Sequence, residues 1–506
     1  MFSFVFHDRA CCIGHRDIPG RPCLPSPDPI GMRGVAKTAI CVYTESCTLL
    51  YFANRKKTVP MDLLIALTVF LVSMAVCLTT GSSMLIALAI GLFCFSAVAL
   101  RRGYALRSVA GMVLASTKKS FIVLRILLLI GLVTALWRSG GTIALFVYYG
   151  IRLITPGLFI FITFVLSAIL SYALGTSFGV AGTAGVIFMT LARSGGVNEL
   201  ITAGAVISGA YFGDRCAPSS SCANLVATVT DTRLYDNVRL MLKTGALPTL
   251  FTLLGFLLLS LRNPISVVDP AILDALQGSF DLSFWAVVPA LLMLILPLLG
   301  LEVRWALAAS IVSSFAVTVL LQDLSVWDAL KAAVVGYAPP SGPLSSILSG
   351  GGVLSMLNVT LIVFLSGTFS GVFEGTHMLD GVQDKIGAVA RKIGLFPTML
   401  VTSLATCGAF CNQTIATMLN AQLLTRVYDG AGASHTELAM DISNSVVTIA
   451  GLIPWSVACA VPLQMLGASL SAIPYCLLLW LIPLCYGLTR RWFFPPHANK
   501  ENPDPS

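Results

Sequence analysis

Ionised side chains are scarce in this chain. Asp, Glu, Lys and Arg make up 11% of its 506 residues, where a soluble domain carries roughly a quarter, so water is excluded as the solvent for most of it. Histidine is scarcer still, with five in all. His377 and His435, the two within the apolar part, are expected in loops, which leaves no histidine cluster for a metal. The fourteen cysteines are numerous but unpatterned: five precede residue 60, and none shows zinc-ligand or disulfide-framework spacing. Cys407 and Cys411 stand four apart on an expected helix with no His or further Cys beside them, and read as small hydrophobes. No Walker sequence is present to take ATP, and no repeated filter or ring of charge marks a channel. The Gly-x-Gly-Asp of intramembrane aspartyl proteases is missing too, because Tyr211 stands where its first Gly would be. No enzyme is expected.

What remains is apolar. Hydrophobic residues are 56% of the chain, gathered into runs of about 20, the length a helix needs to cross a hydrocarbon core. Candidate spans lie at 62–79, 83–100, 120–137, 155–175, 180–212 (two pieces), 239–261, 283–300, 303–322, 353–373, 395–425, 444–466 and 468–488. This predicts an all-α polytopic membrane protein of about ten to twelve transmembrane helices, some of them discontinuous. The net charge of +8 comes from Lys and Arg in the short segments between runs, a topology signal that argues against a nucleic-acid partner. Arg55, Lys56 and Lys57 precede the first span, Arg101, Arg102, Arg107, Lys118 and Lys119 follow the second, and Arg490 and Arg491 follow the last. All three clusters, and both termini, are expected on the cytoplasmic side of the plasma (inner) membrane.

Residues 1–60 have no periodicity and no signal architecture, and Met61 opens the apolar block directly after the basic cluster. They are expected to be an extension that precedes the working protein. The rest divides into a first transmembrane repeat at 61–262, a charged connecting segment at 263–282, a second repeat at 283–490 and a polar tail at 491–506. The repeats are suggested by their interruptions. A run from Leu158 ends in Gly175-Thr176-Ser177-Phe178-Gly179 and is followed by Gly209 to Ser221, with Gly213-Asp214-Arg215 at its centre. A run from Leu395 ends in Cys411-Asn412-Gln413-Thr414 and is followed by Asp441-Ile442-Ser443-Asn444-Ser445 and Ile453-Pro454-Trp455. Broken backbone at membrane depth must be buried in protein or line a cavity, and paired breaks in two halves point to a transporter site.

A carboxylate at such a depth costs several kcal/mol unless paired or wetted, which singles out Asp214, Asp441 and Glu374. Arg215 offers Asp214 a neutralising ion pair, and a helix N-cap is the plain alternative for Asp441. Arg138, beside Ser139-Gly140-Gly141, reads as a loop residue, and Arg125 as one that snorkels to the interface. Thr176, Ser177, Ser221, Asn224, Asn412, Gln413, Asn444 and Ser445 supply oxygens and hydrogen bonds at the breaks, suited to a small hard cation, a carboxylate, or both. Gly182 and Gly185 read as close-packing positions.

Gly175 to Gly185 and Ile207 to Asp214, with Trp137 to Gly141, Phe373-Glu374-Gly375-Thr376 and Leu452-Ile453-Pro454-Trp455, resemble the NhaC family of Na+/H+ antiporters over residues 62–490. The resemblance implies two inverted repeats and exchange of Na+ for H+ by alternating access. It also leaves room for exchange of small organic acids or amino acids, since members of that group exchange malate and lactate. Two acids of the family pattern are neutral here: Ser221 ends the stretch where Ser-Pro-x-Ser-Asp is usual, and Ser443-Asn444-Ser445 replaces Glu-Asp-Ser. Antiport through one site needs a buried carboxylate for which proton and cation compete. The coupling is therefore expected at Asp214, with Glu374 and Asp441 behind it, and Na+ at Asp214, Thr176 and Asn412. No cofactor is expected beyond Na+ and H+ as coupling ions. The expected partners are the lipid bilayer and a small ion or organic solute, and a homodimer is compatible with this reading.

Overall fold

A computed structural model describes residues 61–80, 82–153, 156–264, 270–339, 344–376 and 383–494. The expected extension at 1–60, and all but the first four residues of the expected tail, lie outside the described residues. Among the described residues there are only helices, turns and one isolated bridge, Tyr337 to Gly350. Apolar surroundings leave a backbone no water to bond, so each segment satisfies its N–H and C=O groups within itself. The chain is an all-α polytopic membrane protein.

Helices α1 (Met61–Thr80) and α2 (Met84–Arg101) form a hairpin whose open end is tied by Arg102 to Asp62 at 3.5 Å. The next helix, α3 (Leu106–Ser139), bends by 64° through Gly140 and Gly141 into α4 (Thr142–Leu153). Then come α5 (Phe159–Leu174), α6 (Ser177–Ala181), α7 (Ala184–Ser194), α8 (Glu199–Cys216), α9 (Ser221–Val229) and α10 (Leu234–Arg262). The connecting segment holds α11 (Pro270–Ser279), and the second half has α12 (Val288–Leu298), α13 (Val303–Leu320), α14 (Val326–Val335), α15 (Leu357–Thr376) and α16 (Gln383–Ile393). It closes with α17 (Leu395–Phe410), α18 (Gln413–Gly430), α19 (His435–Ser443), α20 (Val446–Ile449), α21 (Val457–Leu466) and α22 (Leu477–Phe493).

Among the described residues, four helices are long and apolar enough to span a bilayer on their own: α1, α2, α10 and α13. Two bent pairs bring the number to six, and shorter apolar helices such as α5, α17 and α21 stop at breaks. The stretch 180–212 is two pieces as expected, α7 and α8. The charged connecting segment contains helical residues 273–279, which meet the next apolar helix at 100°. Arg138 departs from expectation: it lies in the last turn of α3, 7% exposed, donating to the Thr134 carbonyl at 3.0 Å. The Gly-Gly break begins one residue after that turn, so the helix carries Arg138 into the interior.

The element boundaries recur along the chain at one constant step. Phe159 opens α5 and Leu395 opens α17, 236 positions on (395 − 159). The same step takes the end of α5 at Leu174 to the end of α17 at Phe410, and Ser177 to Gln413. It takes Ser194 to Gly430, Glu199 to His435, Ser221 to Val457, and Leu234 to Leu470. Tertiary bonds follow it as well. Ser171 Oγ donates to the Ala210 carbonyl in the first half, and Cys407 Sγ to the Val446 carbonyl at 3.7 Å in the second. Packing is reciprocal: α9 lies on α18, the counterpart of α6 and α7, while α21 lies on α6 and α7. Helices α10 and α22 pack on each other.

Closeness between α5 and α8 depends on Gly213. A Cβ there would lie 2.0 Å from the Ser171 carbonyl carbon and 2.2 Å from the Tyr172 nitrogen, both backbone atoms. Backbone cannot swing aside as a side chain can, so Gly213→Ala is expected to lower stability by about 3 kcal/mol, the upper part of the overpacking range. Thermal unfolding in detergent reads this as a large fall in melting temperature; an unchanged melting temperature would refute the close approach.

Candidate functional site

The first interruption is built by three residues with distinct jobs. Gly175 takes the left-handed conformation that ends α5 (φ 68°), and a Cβ there would lie 2.4 Å from Ser219 Oγ. Thr176 is extended and caps α6, accepting from the Gly179 amide. Ser177, buried, then donates from Oγ to Asp214 Oδ2 at 3.2 Å.

Asp214 lies near the end of α8, 6% exposed. Ser220 comes from beyond the second break: its hydroxyl bonds the Asp214 carbonyl, stands 3.5 Å from Oδ1, and caps α9 by accepting from the Cys222 and Ala223 amides. The two breaks of the first half thus meet on one carboxylate. No Lys, Arg or His pairs with it among the described residues. The adjacent Arg215 points elsewhere, because neighbours on a helix lie about 100° apart around the axis. The ion pair weighed from the sequence is not formed.

The second half repeats the construction with other side chains. Cys411 is left-handed (φ 56°) at the end of α17, where Gly175 stands in the first half. Asn412 caps α18, its Oδ1 accepting from the Thr414 and Ile415 amides at 3.0 and 3.4 Å. Gln413, the counterpart of Ser177, donates to the Val447 carbonyl at 3.1 Å. The two breaks touch here too, through the Val457 N–H on the Cys411 carbonyl at 2.8 Å. The counterpart of Asp214 is Ala450, so this half holds no acid at that place.

Asp441 is no helix cap. Ser434 caps α19, and Asp441 sits near its end, wholly buried. Both its oxygens are taken: Tyr428 donates to Oδ2 at 2.6 Å and Tyr486 to Oδ1 at 2.7 Å, while Arg490 reaches Oδ2 through NH2 at 2.8 Å and Oδ1 through Nε at 3.0 Å. Arg490 also pairs with buried Glu437. This joins α18, α19 and α22, and leaves Asp441 no open lone pair directed at an ion.

The remaining candidates divide. Ser445, buried, accepts from Ser403 Oγ at 3.2 Å, and Asn444, buried, donates to the Met440 carbonyl at 2.9 Å and lies 3.5 Å from Thr244 Oγ1. Ser221 and Asn224 are exposed, and Asn224 folds back onto the Pro218 and Ser220 carbonyls. Thr176 and Asn412 use their side-chain oxygens as caps, so neither is directed at Asp214. Glu374 belongs to α15, and its side chain lies outside the described residues. Sequence reading passed over Ser220, Tyr428, Tyr486, Arg490, Glu437 and Thr244 as site residues. Ser220 had a signal, a serine just before a helical run, and was missed by one position in favour of Ser221. Among the described residues no three His, Cys, Asp or Glu converge as a metal site would require.

The Na+/H+ antiporter family matches this sequence over residues 44–223 and 209–488, nearly the whole length. The chain belongs to that family. Na+/H+ antiporter family relatives include an uncharacterised Na+/H+ antiporter of Haemophilus influenzae, 29% identical over 379 residues, covering 72% of this chain and 80% of that one. A malate-2H+/Na+-lactate antiporter of Bacillus subtilis is 26% identical over 419 residues, covering 80% and 87%. An arginine/ornithine antiporter of Halobacterium salinarum is 25% identical over 362 residues, covering 69% and 74%. The protein is a secondary antiporter of the Na+/H+ type.

Proposed function

We propose that Asp214 is the group at which coupling ions load and unload, with Na+ and H+ taking turns on its carboxylate. The observation that supports this reading is the enclosure of Asp214 by both breaks of the first half, with Ser177 and Ser220 as its hydrogen-bond partners and, among the described residues, no basic residue to neutralise it. A carboxylate so placed binds either a proton or a small cation, and binding one excludes the other. The constant step between halves and their reciprocal packing support an inverted repeat of 61–262 and 283–490, the usual ground plan for alternating access. We place the protein in the inner membrane with its basic clusters on the cytoplasmic face, as their distribution favours. Asp62, Arg102 and the start of α3 lie at one end of the first hairpin, in keeping with that orientation.

The test is a flux measurement on the purified chain in proteoliposomes carrying a pH-sensitive dye. An outward proton gradient is expected to drive uptake of labelled Na+, and a Na+ gradient to move protons the other way. Absence of both movements would overturn the reading. Labelled malate, lactate and arginine, each added under the same gradients, show whether an organic solute is also exchanged, as in the malate/lactate and arginine/ornithine antiporters among its relatives.

A further inference from the structure

Arg215 is one of the largest fully buried side chains, 1% exposed, and no acid pairs with it among the described residues. A guanidinium carries five N–H donors. Here one NH2 group bonds the Met241 carbonyl and lies 3.5 Å from Thr244 Oγ1, while Nε has no hydrogen-bond partner. The same Thr244 hydroxyl is 3.5 Å from Asn444 Nδ2, and Asn444 Oδ1, wholly buried, also lacks a partner. An unused charged donor and an unused acceptor thus flank one hydroxyl where α8, α10 and α19 meet. Gly245 lies under the guanidinium: a Cβ there would be 2.9 Å from both terminal nitrogens.

Leaving a charge buried without a partner costs several kcal/mol, and an unmade hydrogen bond on a buried acceptor adds to it. The planar fork of arginine matches a carboxylate in two parallel bonds, which repays that cost when the ligand is present. The bond to Met241 ties α8 to α10 and accounts for nothing on the Nε side.

We propose that Arg215 recognises the carboxylate of an organic solute, and that Asn444 accepts from a hydroxyl or ammonium on the adjacent carbon. The solute class is an α-hydroxy or α-amino carboxylate. This rests on the antiporter reading, and it sets solute and coupling ion on consecutive residues of one helix turn, Arg215 for the solute and Asp214 for the ion.

The experiment is a thermal-shift titration of the purified full chain with four probes: L-lactate, L-alanine, propionate and lactamide. Lactate or alanine is expected to stabilise saturably, propionate at least tenfold more weakly, and lactamide not at all. Arg215→Gln should abolish the carboxylate response and Arg215→Lys should weaken it about tenfold, since an ammonium lacks the fork. Asn444→Ala should erase the preference for lactate over propionate. Gly245→Ala, which crowds the guanidinium while keeping it, should weaken carboxylate binding several-fold in protein that still elutes as a single species; unchanged binding in that variant counts against the site. Lactamide binding as well as lactate, or Arg215 variants that lose stability but keep wild-type carboxylate affinity, would overturn the inference. Wild-type protein that exchanges Na+ for H+ yet responds to no carboxylate overturns it too, and leaves the role of Asp214 standing.

Discussion

Everted vesicles carrying Asp214→Asn are expected to show exchange at background level. The amide has the shape of the carboxylate and still accepts from Ser177 at the oxygen that Oδ2 occupies, so the two breaks remain joined. It cannot release a proton or offer charge to a cation, and in a site without another acid among the described residues around it no group takes over. Dequenching of a pH dye on adding Na+ measures the loss, and size-exclusion of the detergent-solubilised variant shows that folding survives. Substantial exchange by this variant would remove Asp214 from the mechanism. Ser177→Ala is the milder companion, removing one hydrogen bond to a charged group, worth about 1.5–3 kcal/mol, and is expected to alter ion affinity more than turnover.

Arg490→Ala is expected to have the largest effect on stability. It strips the cation from two buried carboxylates, Asp441 and Glu437, which then face each other's charge one helical turn apart. Removing one partner of a buried ion pair costs about 3–5 kcal/mol. The two tyrosines still donate to Asp441, which limits the damage at that residue but supplies no charge. Asp441→Asn should cost less, because Glu437 retains Arg490 and the amide oxygen still accepts from a tyrosine. Chemical unfolding in detergent orders the two variants. Equal stability of Arg490→Ala and wild type would mean the network contributes nothing.

The membrane class and the breaks were legible because both are written locally. Gly175, Thr176 and Asn412 occupy positions set by backbone conformation, and residue types that tolerate or cap such turns announce them. Cys411 in the left-handed position carries no such announcement. The repeat was visible as a rhythm of interruptions but not as a register, since the step of 236 matches Asp214 to Ala450 and Asp441 to Ala205. Packing conserves the lengths of helices while the side chains inside them are free to differ. Partners far apart in sequence were beyond reach. Arg490 read as a topology marker, and only the fold brings it across 49 positions to Asp441. Arg215 read as a partner for its neighbour, and the helix turn sends it to Met241 and Thr244 instead.

The reciprocal packing of the two halves has a consequence for how the protein is made. Helix α9, which carries Ser220 to Asp214, rests on α18, and α6, which carries Ser177, rests on α21. When the ribosome has delivered only the first half, the helices that carry Ser177 and Ser220 have no second half to lie against, and lipid offers the broken backbone between them no hydrogen bonds. The nascent chain can already set Ser177 and Ser220 on Asp214, but the faces of α6 and α9 that meet the second half stay bare through about half of its synthesis. Those faces are covered only once Val457–Leu466 has emerged, so a product truncated before then is expected to be less stable than the full chain.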